Sequence, residues 1–386
     1  MFLDRLMETN RRLADVALSW QQDGTILPDT YVIDLDAVCE NAEAVQKEAC
    51  KCGISLYFML KQLGRNPLIG QRLAEIGLSG AVCVDCREAL VLANARIPLG
   101  NVGHLVQMPR AVLGRVLAAR PEIMTVYSIE KAREIGFEAV RQDFVQPIML
   151  RVIGDDDLLY SGQYGGFRMS ELEEIVDSLE DIRGIRIAGV CSFPCLLYSS
   201  ESGEIEPLPN AKTVCDAADM LRGRGYQSLQ VNLPSVSCSH AVSLVSSLGG
   251  THMEPGHALT GTTPYHAAHP NAIERCGYVY VSEVSHCLDA HAFCYGGGYY
   301  RRGHLHEALV GTSLDDARRM RAFPPGDESI DYYIELSDSA DVGEGVLMCF
   351  RSQMFVTRSE VVVASGISSG SPRIEGFFDT QGHRLK

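Results

Sequence analysis

Between residues 55 and 254 the chain alternates short apolar runs with amphipathic stretches, and this alternation restricts the fold more than any other feature. Apolar runs recur at 56–60, 80–84, 101–106, 123–126, 147–153, 185–191, 228–232 and 251–254. Continuous apolar runs of this length, bounded by turn residues, read as buried strands. A helical pattern follows each of the first seven: 67–76, 87–95, the stretch up to 119, 128–140, 170–179, 211–222 and 239–248. Strand–helix alternation predicts a parallel sheet. Eight such units close into a (β/α)8 TIM barrel, which typically takes about 200–250 residues. An open doubly wound sheet is the competing arrangement. Its first turn usually carries a glycine-rich phosphate loop, and Lys61-Gln62-Leu63-Gly64 is not one.

Ahead of the alternation, an amphipathic helix is expected to about Gln21, then a short strand at 31–35 and a helix through 51 with Asp36 as its N-cap. Asp4 and Arg5 interrupt the first apolar residues, so this segment does not read as a secretory signal. Beyond about residue 272 the helical period fades. Strand-like runs at 279–281, 292–295, 332–336, 346–350 and 360–364 predict an all-β domain. The expected division is a helical extension (1–29), a barrel (30–271) and a C-terminal β-domain (272–386). The net charge of −15 argues against nucleic acid or an anionic membrane as partner. No charge-poor run is long enough to cross a bilayer. The thirteen cysteines are odd in number and scattered, many inside apolar runs such as Ala81-Val82-Cys83-Val84. That pattern points to reduced thiols in a cytoplasm, not to a disulfide framework.

Candidate chemistry begins where the first apolar run, Leu56-Tyr57-Phe58-Met59-Leu60, ends in Lys61. A lysine at the carboxyl end of a buried barrel strand stands where barrels place their chemistry. Partial desolvation there favours the free amine that a Schiff-base lysine needs. A lysine snorkelling from a strand end is the plainer alternative. After the last strand comes Glu254-Pro255-Gly256-His257-Ala258-Leu259-Thr260-Gly261-Thr262. Its glycines permit close backbone approach, and its amides and hydroxyls suit a phosphate. Asn232, Ser235 and Ser237 add polar groups after the seventh strand, and Arg65 adds charge. An ordinary loop leaving the barrel is the alternative for the whole stretch.

The Lys61 stretch, Tyr31-Val32-Ile33-Asp34-Leu35-Asp36, His104-Leu105-Val106-Gln107, Phe193-Pro194-Cys195-Leu196-Leu197 and the Glu254 loop resemble the pyridoxal-phosphate enzymes of the alanine racemase-like (fold type III) family. Segments 295–302 and 329–333 extend the resemblance to a bacterial racemase-like group without an assigned reaction. The resemblance implies that Lys61 carries pyridoxal 5'-phosphate and that Arg65, Ser192, Asn232, Ser235, Ser237, Glu254, Gly256 and His257 surround it. It also implies a homodimer acting on an amino acid or amine.

Two positions depart from alanine racemase proper. Glu254 stands where racemases place an arginine opposite the pyridine nitrogen, as in the decarboxylase branch. A carboxylate there keeps the ring protonated and a strong electron sink. Ser192 stands where the family usually offers a ring-stacking histidine. The second acid/base, expected from the β-domain, is sought among Tyr299, Tyr300, Asp331, Tyr332 and Tyr333. Arg301 and Arg302 are candidates for a substrate carboxylate, or an ordinary solvated pair. No metal is expected: Cys83-Val84-Asp85-Cys86 has no second such pair, and the ligand pattern of the family's metal-dependent aldolases is not found among His286, Asp289, His291, His304 and His306. The expected reaction is racemisation or epimerisation at Cα. Decarboxylation, aldol cleavage and a non-catalytic cofactor carrier are the alternatives.

Overall fold

The computed structural model describes all 386 residues, which divide into two compact units. One comprises residues 43–60 and 70–256; the other comprises 1–42, 61–69 and 257–386.

The first unit is the barrel. Its parallel sheet runs, in spatial order, Ser55–Leu56, His252–Met253, Gln230–Asn232, Ile185–Cys191, Gln146–Ile153, Ile123–Val126, Leu99–Val102 and Ala81–Cys83. The register keeps the strand ends level: His252 faces Ser55, Asn232 faces His252, and Cys191 faces both Asn232 and Arg151. Phe58 closes the ring by a parallel bridge to Ala81, with Val82 N donating to Phe58 O at 2.8 Å. The first stave therefore continues past Leu56, and Met59 N still donates to Pro255 O at 2.9 Å. Seven α-helices follow the first seven strands at the expected places, from Pro67–Ile76 to Val242–Ser247. The long loop after Cys191 also holds a hairpin, Leu196–Tyr198 with Ile205–Pro207, which the sequence pattern did not reveal.

The second unit is antiparallel except for one parallel pairing, Thr30–Asp34 with Glu360–Ser365. Tyr278–Leu288 pairs with both Gly345–Met348 and His291–Tyr295. With Glu307–Gly311, Arg318–Phe323 and Tyr333–Leu336 these strands close a small barrel. Glu307–Gly311, Arg318–Phe323 and Arg373–Asp379 were not anticipated. Arginines at 318, 319 and 321 mask the alternation of the second of these.

Two placements differ from the expected division. Thr30–Asp34 lies in the sheet of the second unit, where Tyr31 faces Tyr280 on an antiparallel neighbour and Val361 on a parallel one. The single N-terminal helix is two, Phe2–Thr9 and Arg11–Gln22. The break is at Asn10, whose Nδ2 donates to Asp34 Oδ2 (2.9 Å) and to Cys276 O (3.0 Å). Two buried acceptors outweigh one uninterrupted helical turn. Leu6, Leu13 and Leu18 from these helices pack with Val281, Leu347 and Val362 in one core. Burial of each leucine stabilises that core by about 1.5–3 kcal/mol. The helices are thus part of the antiparallel unit, not an appendage.

Candidate active site

In the barrel unit, polar side chains at the carboxyl ends of the strands converge on Glu254, which is 4% exposed. Asn101 Nδ2 and Asn232 Nδ2 both donate to Glu254 Oε1, at 3.0 and 2.6 Å. Thr125 Oγ1 donates to Asn101 Oδ1 at 2.7 Å, which turns the Asn101 amide nitrogen toward the carboxylate. Ser237 Oγ accepts the Glu254 backbone N–H at 3.3 Å. The other carboxyl oxygen, Oε2, is buried without a hydrogen-bond partner and lies 3.6 Å from His104 Nε2. Buried acceptors are rarely left so. A protonated ring nitrogen needs such an acceptor, so these residues fit the pyridine end of pyridoxal phosphate.

A second layer supports this cluster. His104 Nδ1 lies 3.6 Å from Cys191 Sγ, and burial pushes that thiol up to about 12. Tyr127 donates its hydroxyl to His104 O and accepts from Arg151 Nη1 at 2.7 Å. Arg151 Nη2 donates to Gln163 O at 2.9 Å, fastening the glycine-rich loop. Gly165 (φ 145°) lets that loop lie against Tyr127, since a Cβ there would stand 2.6 Å from the ring.

Other expected residues of this unit take separate places. Ser192 is fully buried, and its hydroxyl accepts from Asn210 Nδ2 at 3.2 Å. Ser235 and Val236 both have positive φ, 94° and 45°. A β-branched residue in that region is strained by about 1–3 kcal/mol, as is common where a loop is shaped for a ligand. Gly256 is buried at the end of the unit.

In the antiparallel unit Lys61, half-buried, opens a 3-10 turn, Lys61–Leu63, and Gln62 O accepts from Ser352 Oγ at 3.2 Å. His257 is 8% exposed, with Nδ1 3.4 Å from Thr262 Oγ1 and Nε2 3.3 Å from Gln353 Nε2. Burial holds it well below the ordinary histidine range, and the charges of Arg351, Lys61 and His266 push the same way. His257 is therefore neutral at pH 7. Within the loop, Thr260 N and Thr262 N donate to His257 O and Gly261 N to Ala258 O. Those three amides are spent on the turn, which leaves the side chains of the loop and the amides before Thr260 as its groups for a ligand. Arg65 is buried at φ 53°, its Nη1 donates to Gln381 Oε1 at 2.7 Å, and its guanidinium lies 4.8 Å from the Phe355 ring centre.

The candidates for the second acid/base are dispersed within this unit. Asp331 pairs with Arg358 Nη1, and its carbonyl accepts from Arg358 Nη2 at 2.8 Å. Tyr332 and Tyr333 are exposed beside a cavity of about 510 Å³ that Asp29, Tyr295 and Arg358 also line. Tyr299 donates to Arg301 O at 3.2 Å, and burial raises its pKa. Tyr300 is half-buried next to it, its carbonyl accepting from Gly303 N at 2.7 Å. The histidines noted for metal do not gather. His286 stacks on Phe293 and His291 pairs with Glu335 at 2.5 Å, and no cluster of three or more ligand-type side chains forms.

Asn101, Thr125, His104, Tyr127 and Arg151 were not singled out as site residues. The signal was present as polar residues interrupting apolar strands, but without neighbours in space nothing distinguished them from ordinary strand ends.

Comparison with known proteins decides the family. Residues 33–264 match the alanine racemase N-terminal domain, and residues 279–374 match the YhfX-like C-terminal domain. The chain belongs to the YhfX-like family. It is 41% identical over 386 residues, the whole of both chains, to a protein of Escherichia coli (strain K12) described as uncharacterized protein YhfX. Solved structures with the same fold include D-threonine aldolase from Filomicrobium marinum, with TM-score 0.66, 14% identity, and 92% of this chain and 94% of that one covered. Alanine racemase of Clostridium difficile 630 in complex with cycloserine gives 0.64 and 15%, covering 92% and 99%. D-threo-3-hydroxyaspartate dehydratase from Delftia sp. HT23 gives 0.65 and 17%, covering 91% and 97%. The fold is thus that of alanine racemase, whose neighbours carry out several reactions. No helix is long and apolar enough to cross a membrane.

Proposed function

We propose that the chain is a pyridoxal-phosphate enzyme acting at the α-carbon of an amino acid, with racemisation or epimerisation as its reaction. The observation that carries the reading is the Glu254 carboxylate, buried, anchored through one oxygen and uncommitted at the other. Lys61 would hold the cofactor covalently; Glu254 Oε2 would accept the ring N–H; Ser235, Ser237 and His257 would line its phosphate end. The bound cofactor would supply an electron sink for the pair left at Cα. Lys61 would then take or return the Cα proton on its own face, and inversion would draw the other proton from a second acid on the opposite face, for which Tyr299, Tyr300, Tyr332 and Tyr333 are the candidates. Asn101 and Asn232 keep the carboxylate fixed, and neutral His257 adds no positive charge that would compete with Lys61 for protonation. The working form would be a cytoplasmic homodimer.

Decarboxylation or aldol cleavage is the second reading. Two observations favour it: a carboxylate in place of the racemase arginine, and the commitment of Asp331 to Arg358, which removes one candidate for the opposite proton donor.

The first test adds pyridoxal phosphate to purified protein. A visible absorbance band should form with the wild type and be absent in Lys61→Ala. A panel of amino acids in heavy water then separates the reactions. Deuterium at Cα with all carbons retained supports racemisation. Loss of carbon dioxide or a carbonyl fragment moves the enzyme to the second reading. A colourless wild type would overturn both.

A further inference from the structure

A separate hollow of about 370 Å³ opens in the antiparallel unit, lined by Tyr299, Arg301, His304, Leu305, His306, Arg321, Ala322, Phe323 and Pro324. Its polar lining is basic, and no carboxylate lines it, in a chain whose net charge is −15. The two arginines are held differently. Arg301 is oriented by Asp327, with Nη2 donating to Asp327 O at 2.8 Å and Nε 3.6 Å from the carboxylate. Arg321 makes no ion pair. It sits 5.2 Å from the Phe323 ring centre. On the same strand Arg318 is paired with Glu344, and Arg319 with Asp4 and Glu307. An unpaired guanidinium beside a ring, on a strand whose other arginines are neutralised, is a group available to an incoming anion.

The walls are fixed by backbone bonds. Ala322 N donates to His306 O at 2.9 Å, Gly303 N to Tyr300 O at 2.7 Å, and Arg351 N to Gly303 O at 2.9 Å. Leu305, 2% exposed, and the half-buried Tyr299, Phe323 and Pro324 give the hollow an apolar side. Its volume suits a small metabolite. Converging basic groups in an otherwise negative surface focus the field onto one point.

We propose that this hollow binds a small dianion between Arg301 and Arg321, with its carbon skeleton against Tyr299, Leu305 and Phe323. Phosphate monoesters and dicarboxylates share the required chemistry. The inference stands apart from the Lys61 reading.

Calorimetric titration of the wild-type chain at constant ionic strength, with phenyl phosphate, inorganic phosphate and succinate, tests it. Saturable binding of one dianion per chain is expected, with phenyl phosphate ahead of inorganic phosphate because of the apolar wall. Arg321→Gln should weaken binding at least about tenfold, while Arg318→Gln, on the same strand, should leave it within about twofold. The stronger of phenyl phosphate and succinate names the natural class. His306→Ala gives a second reading, just ahead of the strand paired with that of Arg321, should Arg321→Gln fail to fold, with at least about threefold weakening expected. Flat titrations, or equal weakening by Arg318→Gln and Arg321→Gln, would overturn the site. Flat titrations with the visible cofactor band intact overturn this proposal alone. Saturable binding without that band overturns only the proposed function.

Discussion

Each unit holds a carboxylate, buried in the barrel and half-buried in the antiparallel unit, that anchors one oxygen with two donors and treats the second oxygen differently. In the barrel, Glu254 Oε1 takes two amide N–H groups while Oε2 is left without a hydrogen-bond partner. In the antiparallel unit, Asp29 Oδ1 takes hydroxyls from Tyr280 (2.7 Å) and Ser359. Its Oδ2 is packed against Gly297, where a Cβ would come within 2.0 Å. Burial raises Asp29 to about 6, and its two hydroxyl donors only partly offset that rise. The same anchoring serves two ends. Asp29, half-buried at the edge of a cavity, has its Oδ2 backed by Gly297, and Glu254 keeps a buried acceptor in reserve. A buried carboxylate is thus a site candidate when its unfilled oxygen is not blocked by backbone.

The largest expected effect tests the closed side. Gly297→Ala adds a methyl group where Asp29 Oδ2 already stands, at φ 136°. Destabilisation on the order of 4 kcal/mol is expected in urea unfolding. A loss under about 1 kcal/mol would show that Asp29 moves freely, and the contrast would fail. Next comes the open side. Glu254→Gln keeps an oxygen for Asn101 and Asn232 but replaces the reserve acceptor with a donor. Turnover should fall at least about 100-fold, about 2.7 kcal/mol, with the thermal midpoint nearly unchanged. Unchanged turnover would remove Glu254 from the chemistry.

Smaller effects appear in pH profiles. The folded-state pKa of Asp29 lies above its unfolded value. The stability it contributes is therefore complete below about pH 4 and is lost as pH rises through about 6. Asp29→Asn should flatten that limb by about 2 kcal/mol, discounted for partial solvent screening. His257 works in the opposite sense. Its pKa is depressed, so its contribution holds above about pH 6.5 and is lost as pH falls below that value. His257→Gln should remove about 1 kcal/mol of acid-side loss over the first pH unit. Unfolding curves between pH 4 and pH 8 check both, and parallel profiles for variant and wild type would refute either assignment.

The (β/α)8 order was legible because the barrel strands are mainly apolar runs, broken only by single polar residues, and the connecting helices have their own period. The antiparallel unit was less legible. Arg318–Phe323 mixes outward arginines with inward Met320 and Ala322, and its pairing with Glu307–Gly311 is visible only in space. Thr30–Asp34 reads as a strand in either setting, and nothing local says that it pairs with residues about 250 and 330 positions further on.

Lys61 and Glu254 stand out in the sequence as a lysine ending an apolar stave and a carboxylate opening a glycine-rich loop, and the roles expected of them come from the family resemblance. Their surroundings do not stand out. Asn101, Thr125 and Asn232 come from three different strands, and only closure of the sheet brings them to one carboxylate. The sequence determined the alternating elements of the barrel, because periodicity and turn residues are local properties of the chain. The tertiary structure decided which polar groups are spent and which are held back, because hydrogen-bond partners and burial exist only after distant strands have met.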